Sequence, residues 1–284
     1  KYLKFSQIWN RVKRKFTTPC VNTSSAPELS KPRDKFQTVA LSQQKMLNSN
    51  TFRFLNETNS VKASESWNDD NLDKLWLYNL HYFDDLNAVN SDKRKEWHDS
   101  LIQKWIKENA PGCGNGWEPY PSSLRIVNWI KWSLLGADIK QDWHDSLAVQ
   151  VRYLSQNLEY HILGNHLFSN AKALIYAGLY FQGIEAEKWY KTGITIFNKE
   201  LQEQVLPDGG NFELSPMYHA IFLEDLLDIF NIHQAFNKQF PYDMVNKITS
   251  MFDWLRAMCH PDGGVSFFND SVIGIAPNLT ELEN

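Results

Sequence analysis

The sequence predicts an all-α protein, an α/α toroid (incomplete α/α barrel) of helical hairpins preceded by an irregular N-terminal arm. Three observations predict this fold class. Between residues 92 and 258, apolar residues recur at i, i+3 and i+4 in runs that short polar or Gly/Pro segments separate. No run in that region alternates as a strand would. The motif Pro-Asp-Gly-Gly follows a helical run twice, at 207–210 and 261–264, which indicates a weak repeat of helix-plus-turn units.

The composition is compatible with one large domain that has aromatic residues available to bind sugars. The 284 residues are 43% hydrophobic and include eleven Trp, eleven Tyr and seventeen Phe. That is enough for a large core and for aromatic faces that stack on sugar rings. The net charge of −4 argues against a nucleic-acid partner. No apolar run has the length of a membrane span.

Residues 1–70 are predicted to form a basic helix followed by a wrapping arm. Residues 1–16 carry six Lys or Arg, no acidic residue, and apolar residues at helical spacing. Such a helix either packs on its own domain with a solvated basic face, which we favour, or makes weak contact with an anionic membrane surface. Within the Ser-, Thr-, Asn- and Pro-rich remainder, the apolar pieces 36–41 and 51–55 are candidate strands or extended segments.

An aromatic-rich segment at 72–86 precedes the helices. Its Asn79, His81 and Tyr82 are candidates to face a sugar, although such a run more often belongs to a core. The Asp84-Asp85 pair lacks the further ligands that a metal needs, and it is expected at a helix start or a solvated turn. The predicted helices are 92–109, 122–136, 141–160, 167–182, 185–206, 216–236 and 242–258.

A glycine-rich loop at 112–118 lacks the Lys-Ser/Thr ending of a phosphate loop. Next to it, Trp117 and Tyr120 are candidate stacking platforms. Arg125 and Asn128 are three residues apart and share a helix face. An arginine there either binds a carboxylate or sulfate through two hydrogen bonds or pairs with an internal acid such as Glu118. Both alternatives stay open.

Gly164-Asn165-His166 opens a strongly apolar helix. The first N–H groups of a helix are unpaired and the dipole is positive there, so the position favours an anion. An amide and an imidazole side by side can hold a carboxylate; alternatively, Asn165 is only a helix cap. A second polar stretch, residues 207–219, ends in Tyr218 and His219.

Together these motifs resemble the N-terminal α/α-toroid domain of heparinase II/III-type polysaccharide lyases. The resemblance covers about residues 70–277 and rests on three stretches: Gly164-Asn165-His166 with its helix, residues 207–219, and Trp117-Glu118-Pro119-Tyr120 with Arg125 and Asn128. It implies an arm at 1–70, a catalytic toroid at 71–277, and at 278–284 the start of a linker to a C-terminal β-sandwich domain that this chain lacks.

The resemblance implies β-elimination at a uronic acid, in which the C5 proton is removed and an unsaturated uronate is left. The substrate carboxylate must be neutralised so that charge can build up on it. The resemblance assigns this to Asn165 and His166, and proton transfer to Tyr218. The implied substrate-binding residues are Arg125, Asn128, Trp117, Glu118, Tyr120, Glu213, His219, Asn79, His81 and Tyr82. No metal ligand and no cofactor are predicted in this chain, although the absent domain often carries a metal in this family.

Two other functions stay open. One is a glycoside hydrolase that uses two carboxylates among Glu118, Asp208 and Glu213, with Asp208 also expected as a turn residue. The other is a non-catalytic toroid that binds polysaccharide during exopolysaccharide or capsule biosynthesis. In each case the partner is an acidic polysaccharide whose identity, like the oligomeric state, the sequence leaves open. A lyase acting on such polymers is expected in the periplasm or outside the cell.

Overall fold

The computed structural model describes residues 4–240, 242–272 and 274–283. The chain divides into two compact units, residues 1–30 with 41–190, and residues 31–40 with 191–284. The α-helices are α1 Phe5–Phe16, α2 Lys74–Tyr82, α3 Lys95–Glu108, α4 Pro119–Leu134, α5 Gln141–Gln156, α6 Gly164–Tyr180, α7 Ile184–Gln204, α8 Pro216–Ala235, α9 Tyr242–Ala257 and α10 Leu279–Glu283.

Every helix predicted between residues 92 and 258 is present, as α3 to α9. Their ends differ from the prediction by up to four residues. Helix α4 begins at Pro119, three residues before the expected start, because a proline suits the first turn: its missing N–H would have no partner there. Helix α5 ends at Gln156 instead of continuing to residue 160. Helix existence follows from apolar periodicity, whereas the ends depend on local contacts.

A small antiparallel sheet lies in the arm. Its strands β1 (Met46–Asn48), β2 (Thr51–Phe54) and β3 (Glu57–Ser60) pair in chain order. The segment 51–55 therefore contains a strand, whereas 36–41, all of it described, contains none. The turn between β2 and β3 is Leu55-Asn56, with φ of 53° and 63° at its two residues. Positive φ at both positions is the hairpin geometry that usually takes Asn-Gly, so Asn56 fits this turn by residue type and Leu55 does not.

A cluster of tryptophan rings lies in the core of the first unit. Helix α4 packs against α2, α5 and α6. Trp105 lies in the middle, with its ring centroid 5.7 Å from that of Trp117, 5.9 Å from that of Trp129 and 6.3 Å from that of Phe83. All four rings are buried. The indole rings are therefore used mainly for packing.

Asp85 is a buried hydrogen-bond centre at the start of a 3-10 helix, Asp84–Asn87, so the helix start expected for the Asp84-Asp85 pair is confirmed and the alternative of a solvated turn is wrong. It accepts hydrogen bonds from Arg94 Nε at 2.8 Å, His98 Nε2 at 2.8 Å, and the backbone N–H groups of Lys45 and Met46 at 2.7 and 2.9 Å. Burial alone would raise its pKa, but the four donors outweigh burial and lower the pKa of Asp85 to about 2. This carboxylate ties the arm to α3.

The second unit contains α8 packed against α9 and both Pro-Asp-Gly-Gly turns. The two turns have the same construction. Gly209 and Gly263 have φ of 88° and 83°. The carboxylates of Asp208 and Asp262 accept the N–H of the following second glycine at 3.0 and 2.9 Å. The predicted repeat is confirmed at the level of these turns.

Helix α1 forms as predicted, but the preferred interpretation, that its apolar side packs on its own domain, is wrong. Phe5, Trp9 and Phe16 are 80%, 60% and 84% exposed. None of the helices in the described ranges is both long enough and apolar enough to cross a bilayer.

Candidate functional site

Asn165 and His166 lie in the first turn of α6. The helix begins at Gly164, and Leu163 and Gly164 both have positive φ, 68° and 58°. Leu163 occupies the cap position and offers no side-chain hydrogen bond, so the alternative that Asn165 caps the helix is wrong. The first N–H groups of α6 have no capping side chain, which leaves the positive end of the helix dipole open to an anion.

His166 is held from two sides. Its Nδ1 lies 3.1 Å from Oε1 of Glu159, and its ring centroid lies 4.4 Å from that of Tyr120. Because a carboxylate only accepts, Nδ1 carries the hydrogen, and the neutral ring then has its lone pair on Nε2. The His166 side chain remains 37% exposed. The imidazole is therefore oriented by the protein and still open to a ligand.

Glu159 is a site residue that sequence reasoning missed. It is only 4% exposed. Its second carboxylate oxygen accepts from Asn170 Nδ2 at 3.1 Å, and the Asn170 side-chain oxygen accepts the Glu159 N–H at 2.8 Å. Asn170 Nδ2 also donates to Ser123 Oγ at 3.0 Å. A buried carboxylate needs such partners. The pair with His166 crosses a loop, so no helical spacing could have predicted it.

Tyrosines extend the site next to His166. The ring of Tyr120 meets that of Tyr82 edge-on, with centroids 6.0 Å apart. Tyr78 donates its hydroxyl to Oε2 of Glu118, and Lys74 Nζ lies 2.9 Å from Oε1 of the same carboxylate. Burial first, and then the hydrogen bond to Glu118, raises the pKa of Tyr78; burial likewise raises the pKa of Tyr82, which is itself buried. Both hydroxyls therefore stay protonated at neutral pH.

Tyr218 belongs to the second unit and lies in the first turn of α8. Ser215 caps this helix, and its Oγ accepts the Tyr218 N–H at 3.3 Å. Tyr218 is half-buried, and its hydroxyl makes no hydrogen bond to any residue that the structure describes. Glu213 lies exposed just before α8. Asp208 accepts the N–H of Gly210 and so stabilises its own turn, which is the structural role expected for it as an alternative to a catalytic one.

The family model of the heparinase II/III N-terminus matches residues 9–280. The chain belongs to this family. A heparin-sulfate lyase from Pedobacter heparinus is 34% identical over 184 residues, which are 60% of this chain and 28% of that protein. A heparin-sulfate lyase from Bacteroides stercoris is 36% identical over 115 residues, 39% of this chain and 17% of that protein. The matched part thus spans less than a third of the length of these relatives.

Solved heparinase structures share the fold. The crystal structure of a heparan sulfate lyase from Pedobacter heparinus matches with a TM-score of 0.58 and 22% identity, covering 94% of this chain and 45% of that one. A crystal structure of heparinase III matches with a TM-score of 0.58 and 22% identity over 78% of this chain and 37% of that one. The predicted fold class, the α/α toroid, and the family resemblance are confirmed.

Arg125 of this heparinase II/III family member is fully buried. Both alternatives that the sequence left open for it, binding of a carboxylate or sulfate and pairing with an internal acid, are wrong. Its guanidinium donates to Gln150 Oε1 at 2.8 Å and to the carbonyls of Gly116 and His81 at 2.7 and 3.2 Å. It also lies 3.9 Å from the centre of the Trp105 ring. No carboxylate is among its described partners. Arg125 joins core elements and does not face an anion site.

His81 and His219 were expected to contact substrate, but each is fully buried with both ring nitrogens occupied. The Nε2 of His81 lies 3.0 Å from the Trp67 carbonyl, and its Nδ1 accepts from the Trp105 indole at 3.0 Å. The Nε2 of His219 lies 3.0 Å from the Met251 carbonyl, and its Nδ1 accepts a backbone N–H at 3.2 Å. Burial lowers the pKa of His81 to about 3 and that of His219 to about 4. Both are neutral structural residues.

Three further candidates also have structural partners. Trp117 is 3% exposed and donates its indole N–H to a backbone carbonyl at 3.3 Å, so it is not a stacking platform. Asn128 donates to Asp84 Oδ1 at 2.8 Å and Asn79 to the Leu75 carbonyl of its own helix at 2.8 Å. Among the predicted binding residues of the first unit, Tyr120 contacts His166, Tyr82 contacts Tyr120, and Glu118 accepts a hydrogen bond from Tyr78.

Across residues 4–240, 242–272 and 274–283, no three His, Cys, Asp or Glu side chains are placed to hold a metal ion. The expectations about cofactors stay predictions.

Proposed function

We propose that the chain carries part of the catalytic apparatus of a polysaccharide lyase that cleaves a uronic-acid-containing polysaccharide by β-elimination. The observation that carries the proposal is the placement of Asn165 and an oriented His166 at the uncapped start of α6 in a member of the heparinase II/III family. The relatives named as heparin-sulfate lyases support an acidic polysaccharide as the substrate class.

The start of α6 suits the electrostatic demand of this reaction. Removing the C5 proton pushes charge onto a carboxylate that is already negative, so donors placed at that carboxylate lower the barrier. The first N–H groups of α6 and the Asn165 amide are such donors. His166 donates its Nδ1 hydrogen to Glu159, so its Nε2 is the ring nitrogen that can contact a ligand. Neutral His166 accepts from a sugar hydroxyl there, and protonated His166 donates to a carboxylate.

We assign proton transfer to Tyr218 on the strength of its motif. A phenol with a pKa near ~10 is a natural acid for the leaving oxygen, and it acts as a base only where a cation stabilises the phenolate. His219 does not supply that cation, because it is buried and neutral. We therefore propose that Tyr218 donates its proton to the leaving oxygen, and that the C5 proton passes to a general base that is not among the residues assigned here, in keeping with a chain that carries only part of the catalytic apparatus.

The test is ultraviolet absorbance of unsaturated uronate in digests by the full-length natural protein. Heparan sulfate is the first substrate, followed by hyaluronan, alginate and acidic bacterial exopolysaccharides. Tyr218→Phe should abolish turnover and retain oligosaccharide binding, whereas the matched control Tyr153→Phe should keep wild-type activity. New reducing ends without unsaturated product would indicate a hydrolase. Binding with neither product would indicate the non-catalytic alternative.

A further inference from the structure

Helix α1 is attached to the first unit by its polar side. Gln7 Nε2 donates to the carbonyl of Ile162 at 3.1 Å, and Arg14 Nη1 lies 2.5 Å from Nε2 of His161. Gln7 and Arg14 are seven residues apart, so they return to the same face of a helix with 3.6 residues per turn. Burial, followed by the charge of Arg14, lowers the pKa of His161, which keeps the ring neutral and able to accept from Arg14.

The opposite side of α1 is a continuous apolar stripe open to solvent. Its members are spaced by three, one, three and four residues and so share one face. They are Phe5, Ile8, Trp9, Val12 and Phe16, which are 80%, 49%, 60%, 46% and 84% exposed, in that order. Scattered exposed apolar residues need no explanation, but a contiguous stripe of this kind is typical of an interaction surface.

Basic residues flank the stripe on both sides. At about 100° per residue, Lys13 and Lys15 lie roughly 80° to either side of Phe5, the middle of the stripe. Both are exposed, as are Lys4 and Arg11. Residues 1–16 contain no acid. Lysine stems in this position can follow the apolar surface and place their ammonium groups beside it.

We propose that α1 is an interfacial helix that lies on an anionic membrane surface, with the apolar stripe in the headgroup boundary and Lys13 and Lys15 on lipid phosphates. Charge complementarity favours this occupant, because an apolar stripe with lysines on both edges and no acidic residue matches a planar, negatively charged surface. The anchoring of α1 to His161 and Ile162 would keep the start of α6 near that surface. This last consequence rests on the proposed function, whereas membrane binding itself does not.

The experiment is co-sedimentation of the full-length natural protein with vesicles of phosphatidylcholine alone or mixed with phosphatidylglycerol. Wild-type protein should sediment with the anionic vesicles and be released by salt. K13E/K15E should bind at least about 25-fold more weakly, because each basic residue near an anionic surface contributes about a fivefold effect. F5S/W9S should also lose binding. The matched control is Ile184→Ser, at a position that is 74% exposed outside α1, and it should bind like wild type.

Several outcomes would overturn the proposal. One is equal binding to phosphatidylcholine vesicles. Another is binding by residues 1–284 alone without binding by the full-length protein, which would mean that another part of the chain covers the stripe. A third is a wild-type protein that does not bind vesicles but forms an oligomer in sedimentation, with F5S/W9S dissociating that oligomer. The stripe would then bind a second copy of the chain. Lyase activity is not measured in any arm, so failure here leaves the proposed function untouched.

Discussion

Replacing Arg125 by lysine separates a structural role from a substrate-binding role. The guanidinium donates to four buried acceptors, on Gln150, Gly116, His81 and Ser122, and covers the Trp105 ring. A lysine ammonium keeps the charge but lacks the planar fork, so we expect about two of these acceptors to lose their donor. At about 1–3 kcal/mol for each unsatisfied buried group, the free energy of unfolding should fall by about 4 kcal/mol.

The assay is thermal unfolding followed by circular dichroism. A loss of about 4 kcal/mol corresponds to a Tm lower by roughly 8–16 °C for a domain of this size. The matched control is Arg256→Lys, because Arg256 is an exposed arginine with carboxylate partners, and its Tm should not change. An Arg125→Lys protein with wild-type Tm and a raised KM would refute the structural assignment, since a substrate ligand affects binding and not folding.

Three further predictions concern the site and the fold. Glu159→Gln should lower kcat/KM about 10- to 100-fold and reduce the share of the Nδ1–H tautomer of His166 seen by NMR; unchanged values of both would contradict the orienting role. Asp85 has its pKa lowered to about 2, so its stabilisation is complete above the unfolded pKa of about 4 and is lost as pH falls towards 2. Asp85→Asn should therefore lower the free energy of unfolding by about 3–5 kcal/mol at pH 7. The denaturant midpoint of this variant should depend less on pH between 4 and 2 than that of wild type. Gly209→Ala would place a Cβ 2.2 Å from a backbone carbonyl and should cost more than about 2 kcal/mol, a larger loss than for Gly136→Ala, where φ is also positive but no atom lies within 4 Å; equal losses would show that the close contact is relieved.

Local patterns were sufficient to predict some features of the molecule. Helices α3 to α9 follow from apolar residues at helical spacing, which report one buried side regardless of the partner. The two Pro-Asp-Gly-Gly turns follow from residues that tolerate positive φ and accept their own backbone N–H groups. The hairpin turn at Leu55-Asn56 does not follow from the sequence, because only Asn56 is a residue type that favours positive φ, whereas at Leu55 the neighbouring strands impose it.

Side-chain environment was decided by tertiary packing. Arg125 and His81 have the residue types of a binding site, and sequence could not distinguish an open helix face from one closed by Trp105 and Gly116. Helix α1 shows the opposite case, because its amphipathic spacing predicts packing on the domain, whereas its apolar side is exposed. Periodicity identifies an apolar side but does not say what covers it.

By itself, the sequence determined the helical architecture, the family, and the motif of Asn165 and His166 at the start of a helix, because each depends on residues close together in the chain. Only the tertiary structure decided that Glu159 orients His166 and that Arg125 is locked in the core. Those pairings join residues across loops and between helices, and the free energy of burying a charge is known only when its neighbours are in place.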